Sequence, residues 1–244
     1  MRILISIDDT DDAVSKGTGE IAEILAAGLV SLELASVGRV TRHQLLIHPD
    51  IAYTSHNSSM CFEAEIAEDS LTDVIEWCAE RLAAESVDAA DPGLAVVVPG
   101  RLDADRLMAF GLEAKERVLT KDNAYSLAEE LGVHLSEHGG TGIGVIGALA
   151  GAGLKLTGND GRFKGKFRIV GDENGVTDVA TIKTQGVDAV RTLENETIGD
   201  AERVVVGECK LILRDGIAVL MVKPSEDGAP APWTIVDRKA LRAF

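Results

Sequence analysis

The chain is short of cysteines, of basic residues and of long apolar runs, and each shortage removes a class of protein. Cys61, Cys78 and Cys209 are its only cysteines in 244 residues, and no two stand in a CxxC spacing. That excludes a zinc ribbon or a disulfide framework and points to a reducing, cytoplasmic compartment. Lys and Arg number 24 against 40 Asp and Glu, a formal charge of −16 with a pI near 4.7. A field of that sign disfavours tRNA, or any nucleic acid, as a partner and favours a small-molecule substrate. The longest weakly polar run, 143–154, is glycine-rich and falls short of the ~20 residues a membrane helix needs, so no membrane span is expected. The apolar run ahead of Asp8 is too short for the core of a signal peptide.

What the chain does have is concentrated near its start. The apolar run Ile3, Leu4, Ile5, Ser6, Ile7 ends in Asp8, Asp9, Thr10, Asp11 and Asp12, and Lys16, Gly17, Thr18, Gly19 and Glu20 follow closely. This reads as strand, acidic loop and helix N-terminus. Four carboxylates in five residues repel one another, so a bound cation is a natural reason for their coexistence. Hard oxygen ligands beside a positive helix end suit magnesium carrying a polyphosphate. Asp8, Asp9 and Asp11 are the candidate metal ligands. Thr10, Gly17 and Gly19 are candidate phosphate contacts, with Lys16 as a compensating charge. The turn is no Walker A loop, because the upstream glycine is missing and Gly17 separates Lys16 from Thr18.

Taken in order, Thr18 caps a helix with Ile21, Ile24, Leu25, Leu29 and Leu32 on one face. Residues 37–47 are β-rich, 60–66 alternate as a half-buried strand does, Ser70 caps a second helix, and 94–98 form a buried strand closed by Pro99-Gly100. The order is βαββαβ, that of a ferredoxin-like sandwich with an antiparallel sheet. Residues 103–131 are helical with a break near Thr120, where Asp122 or Asn123 starts a second helix ending at Gly132. Beyond Asp160 the character turns to β, with Asp215-Gly216 a hairpin signal. The expected class is α+β. It comprises a metal- and nucleotide-binding domain over 1–100, a helical, glycine-rich, substrate-facing segment over 101–160 and a β-rich part over 161–244, a domain of its own or a sheet extension.

Three further motifs bear on chemistry. Gly142, Gly144 and Gly147 form a GxGxxG, but the residues ahead of it, 133–138, are short and polar rather than a buried parallel strand. A phosphate- or substrate-binding turn at a helix start fits better than a dinucleotide fold, with tight helix packing as the alternative. His134 and His138 stand four apart, without an evident third metal ligand. Tyr53, Thr54, Ser55, His56, Asn57, Ser58 and Ser59 make a polar loop in which His56 is a candidate acid, base or phosphate donor and Asn57 a candidate for orienting the acceptor.

The combination of Ile7-Asp8-Asp9-Thr10-Asp11 with Thr18, then residues 48–54 from His48-Pro49-Asp50 to Thr54 leading to Asn57, and then Gly144-Val145-Ile146-Gly147-Ala148-Leu149-Ala150, resembles the TiaS family. These are archaeal synthetases that make agmatidine in isoleucine tRNA, and the resemblance covers roughly residues 1–155. It implies an ATP-dependent kinase-like domain followed by a ferredoxin-like domain implicated in agmatine binding; the family's OB fold and zinc ribbon are not recognisable here. By the same resemblance Asp8, Asp9 and Asp11 take the magnesium and ATP role, and Thr18 takes the place of a threonine linked to phosphoryl transfer. The glycine loop then falls in the substrate-facing part. The family's basic loop is replaced here by Thr54, Ser55, His56 and Asn57.

The expectation is therefore an ATP- and Mg2+-dependent phosphoryl-transfer or ligase-type enzyme acting on a small molecule, with Asp8, Thr18 and His56 as catalytic candidates. The readings from other classes are a non-catalytic nucleotide- or metabolite-binding protein, homo-oligomeric in that case, and a tRNA-modifying enzyme.

Overall fold

The computed structural model describes residues 1–12, 14–51 and 57–243, and these divide into two compact units, 1–157 and 158–244. In the first, the chain runs β1 (Arg2–Asp8), α1 (Thr18–Ser31), β2 (Ala35–Val37), β3 (Thr41–Gln44), β4 (Ser58–Ile66), α2 (Leu71–Glu85), β5 (Gly93–Val97), α3 (Ala104–Glu113), α4 (Lys121–Leu131), β6 (His134–Glu137) and α5 (Gly144–Leu156). The β-rich stretch at 37–47 is one strand broken in two: β2 and β3 both pair antiparallel with β4, and Gly38 N–H bonds Glu63 O between them. Strand order is β6-β5-β1-β4, with β2 and β3 beyond, and every pairing is antiparallel. With β2 and β3 counted as one strand, the elements from β1 to β5 reproduce the split βαβ arrangement, and β6 extends the sheet past β5.

Strand alternation divides the side chains of β1 between two layers. Ile3, Ile5 and Ile7 join Ile21, Leu25 and Leu29 of α1 and Val74, Cys78 and Leu82 of α2 in one core. Leu4 joins the other core, with α3, α4 and α5. In α1 the apolar spacing holds at Ile21, Leu25 and Leu29, whereas Leu32 is exposed because the helix has ended. Gly17, not Thr18, is the N-cap; Thr18 is already the first helical residue. Ser70 caps α2 by position, without a side-chain bond. The break near Thr120 is a capping box between Thr120 and Asn123, so the helix starts one residue earlier than Asp122, and Gly132 ends it in the left-handed region at φ 66°.

Helix α5 owes its position to its small residues. A Cβ at Gly144 would meet the Asp91 carbonyl, one at Gly151 the hydroxyls of Ser59 and Ser6, and one at Gly153 the Leu107 carbonyl of α3. Each interior glycine disfavours the helix by about 1 kcal/mol relative to alanine. The close approach to the sheet that this permits is what offsets it.

The second unit holds β7 (Arg162–Phe163), β8 (Phe167–Arg168), β9 (Val176–Asp178), α6 (Val179–Thr184), β10 (Ala189–Thr192), β11 (Arg203–Val205), β12 (Glu208–Cys209), β13 (Leu211–Arg214), β14 (Ile217–Pro224) and β15 (Trp233–Ile235). The β13-β14 hairpin turns at Asp215-Gly216, both at positive φ, as a type I′ turn requires. Strand β14 pairs antiparallel with β13 and β15 and parallel with β10, over a core of Val190, Leu211, Leu220 and Val222. Helix α6 has no counterpart among the elements expected from sequence; Asp178 caps it by accepting the Thr181 N–H.

Candidate functional site

The end of β1 delivers Asp8 to a cleft in the first unit. The residues lining it include the polar Asp8, Asp9, Asp11 and Thr18 and the apolar Leu45, Ile51, Leu119, Ile143 and Ile146. Alternation puts the Asp8 side chain on the α5 side, where it lies against Gly147; any side chain at that position would displace the carboxylate. Asp9 is held in the left-handed region at φ 54°, which Asp tolerates better than most residues.

The acidic cluster is electrostatically costly. Burial, then the neighbouring Asp9 and Asp11 carboxylates, push the Asp8 carboxyl up to about 8, against a bond from the Asp9 N–H that acts the other way. Burial followed by Asp91 and Asp11 raises Asp9 to about 6. Both groups gain most from a nearby positive charge. Asp12 turns away from this set: its carboxylate accepts the N–H groups of Val14 and Ser15, which lowers its pKa and shapes the loop before α1. Thr18 Oγ1 points at Asp11 Oδ1, 3.4 Å away, rather than capping the helix.

Several sequence candidates stand elsewhere. Lys16 forms an ion pair with Glu85 at the end of α2 and does not line the cleft, because a long side chain on this loop reaches that carboxylate first. Thr10 is fully buried, its hydroxyl without a hydrogen-bond partner among the described residues, and it too is absent from the cleft wall. Gly17 and Gly19 serve the start of α1 as cap and buried helical residue. Gly142, at φ 71°, is a turn residue whose N–H bonds Asp91 Oδ1 at 3.1 Å, whereas Gly144 and Gly147 do line the cleft. Asn57 lines it as well, but its amide is engaged, donating to Leu46 O at 2.6 Å. His56, with residues 52–55, lies outside the described residues.

Three elements had no local signal. Asp91 binds the N–H groups of Thr141 and Gly142 with its carboxylate and that of Gly144 with its carbonyl, and its own charge raises Asp9. It thereby ties the glycine turn to the acidic cluster. Arg117 is the one cation among the described lining residues, and it pairs with Glu113 at 2.6 Å. The apolar wall is gathered from separate segments of the chain. Only the packing of β3, α3, the turn before α4 and α5 brings it together.

Among the described residues no three carboxylate, imidazole or thiol groups form a ready-made metal cage. Magnesium does not require one, since it keeps several waters and binds through one or two carboxylates together with phosphate oxygens. The all-oxygen donors of Asp8, Asp9, Asp11 and Thr18 fit such an ion. No described helix is long and apolar enough to cross a membrane.

No protein-family model matches the chain, and no curated protein sequence does. Solved structures do. The likeness is to TiaS. The complex of TiaS with an isoleucine tRNA and ATP is 28% identical with a TM-score of 0.55, covering 63% of this chain and 36% of that one. The complex of TiaS with the tRNA, AMPCPP and agmatine is 28% identical with a TM-score of 0.53, covering 62% and 36%. Apo TiaS, at 24% identity and a TM-score of 0.55 over 63% of this chain and 35% of that one, supports the fold alone. The matched part is N-terminal, and the chain spans about a third of the length of the TiaS structures. The expectation that net charge disfavours tRNA finds no support here, since these TiaS structures hold tRNA.

Proposed function

We propose that the first unit binds ATP with magnesium in the cleft beside Asp8 and uses it in a phosphoryl-transfer or ligase-type reaction that activates a small molecule in the cytoplasm. One observation carries this reading: a single cleft unites a mutually repelling carboxylate cluster, with Asp8 buried, and apolar lining residues, in a unit that has the fold of ATP-bound TiaS structures. Asp8 and Asp9, with Asp11 behind Thr18, would hold the cation. Magnesium bound there would neutralise charge on the phosphates during transfer. Leu45, Ile51, Leu119, Ile143 and Ile146 would supply apolar contacts for a purine, and Arg117, paired with Glu113, is the cation in the lining. Thr18, buried at the first turn of α1, is the hydroxyl placed to meet a phosphate.

The test is thermal stability of the full chain with ATP in the presence and absence of magnesium, followed by ATP consumption with agmatine and with tRNA as acceptors. A magnesium-dependent rise in Tm that is lost in Asp8→Asn supports the reading, since a ligand that binds only the folded state must stabilise it. No shift with any nucleotide overturns it. Binding without turnover makes the protein a nucleotide sensor. The likeness to tRNA-bound TiaS favours a second reading, a tRNA-modifying ligase; ATP consumption that requires tRNA would establish it in place of the small-molecule reaction.

A further inference from the structure

His134 and His138 are not on a helix, as their spacing of four suggests, but on and just past the edge strand β6. In a strand, residues two apart share a face, so His134, Ser136 and His138 form one row. His134 Nε2 lies 3.0 Å from Ser136 Oγ, and His138 Nε2 lies 2.8 Å from the same oxygen. Two imidazole nitrogens thus converge on one hydroxyl. The backbone beneath them is fixed: His134 pairs with Val96, Ser136 with Leu94, and the His138 N–H bonds Pro92 O at 2.8 Å. The intervening side chains face away, Leu135 into the core with α4 and α5 and Glu137 into contact with Lys121 and Tyr125.

We propose that His134, Ser136 and His138 form a binding site for a borderline divalent cation of the zinc class, separate from the acidic cleft. A hydroxyl offers one proton, so it satisfies only one of the two ring nitrogens as an acceptor; the other ring must donate back. A cation accepts lone pairs from both at once. Burial lowers both pKa values, which leaves the imidazoles neutral and able to ligate near neutral pH. The row is half-buried, so solvent can complete the coordination that two imidazoles and a hydroxyl begin. Nitrogen donors select zinc, nickel or copper over magnesium, whereas the all-oxygen cleft selects the reverse. The overall charge of −16 raises the local concentration of any cation.

The test is isothermal titration of Zn2+ into metal-stripped full-length protein carrying no histidine tag, repeated on His134→Gln, His138→Gln, the double variant and Asp8→Asn, with circular dichroism to confirm folding. One equivalent of zinc should bind the parent and Asp8→Asn alike. Either single variant should bind about tenfold more weakly or worse, and the double variant not at all. Cobalt substituted for zinc should give visible absorption that the double variant lacks. Absence of zinc binding in the folded parent overturns the proposal, and so does zinc binding that survives the double variant or disappears in Asp8→Asn. None of these readouts depends on ATP.

Discussion

The two faces of the N-terminal sheet are built from the same strands and filled in opposite ways. Toward α1 and α2 the strands present Ile3, Ile5, Ile7, Phe62, Leu94 and Val96, all buried, against large apolar helix residues. Toward α5 they present Leu4, Cys61 and Val97 in a second apolar core, and beside them Ser6, Ser59 and Asp8 against glycines. The first face is held by apolar bulk. The second admits a carboxylate because the helix above it has no side chains there, and that is where the cleft opens. Both faces carry an apolar core, and the second also holds the Asp8 carboxylate.

The comparison is open to attack from both sides. The largest effect is expected from Leu25→Ala on the apolar face, where a cavity under α1 should reduce stability by about 2–5 kcal/mol; denaturant unfolding measures it, and the ATP affinity of the folded protein should stay unchanged. Gly147→Ala on the other face should cost about 1–3 kcal/mol through overpacking and in addition abolish the magnesium-dependent shift with ATP, because the new methyl occupies the place of the Asp8 carboxylate. An unaltered ATP response would mean the cleft is not organised by that contact.

Asp8→Asn should act in the opposite direction on stability. Folding raises this carboxyl from 3.8 to about 8, so the folded state binds the proton more tightly than the unfolded one. Its contribution is fully present below about pH 3.8, declines as pH rises and is gone above about pH 8. In metal-free buffer the parent should therefore lose stability between about pH 5 and pH 8, and Asp8→Asn should be the more stable protein at the upper end, by on the order of 1–2 kcal/mol. Thermal melts of both across that range decide it; parallel curves would show that the buried charge is already compensated. The smallest effect belongs to Lys16→Ala. It removes a surface ion pair worth about 0.2–1 kcal/mol and, since Lys16 reaches Glu85 instead of the cleft, should leave ATP binding intact.

Much of this architecture was legible in the chain. The β1 run ending at Asp8, the helix periods of α1 and α2, the left-handed glycine at 132 and the Asp215-Gly216 hairpin are local features, set by side-chain alternation, capping and allowed φ. The acidic loop was legible as a carboxylate cluster for the same reason, since its crowding is written in consecutive residues. Lys16 and Thr10 were misplaced because neighbours in sequence need not face the same way. Asp91 and Arg117 could not be found, being distant in the chain and ordinary in their own segments. His134 and His138 were visible as a pair, but only the strand beneath them puts Ser136 between their rings.

By itself the sequence determined the α+β class, the order of elements from β1 to β5 and the carboxylates at the end of the first strand, because each depends on interactions spanning a few residues. The tertiary structure alone decided that those carboxylates meet an apolar wall, that Gly147 makes room for Asp8 and that Asp91 links the glycine turn to Asp9. The reason is physical: burial, repulsion between carboxylates and the closeness of a helix to a sheet are set by which distant segments pack together, and no local pattern carries that information.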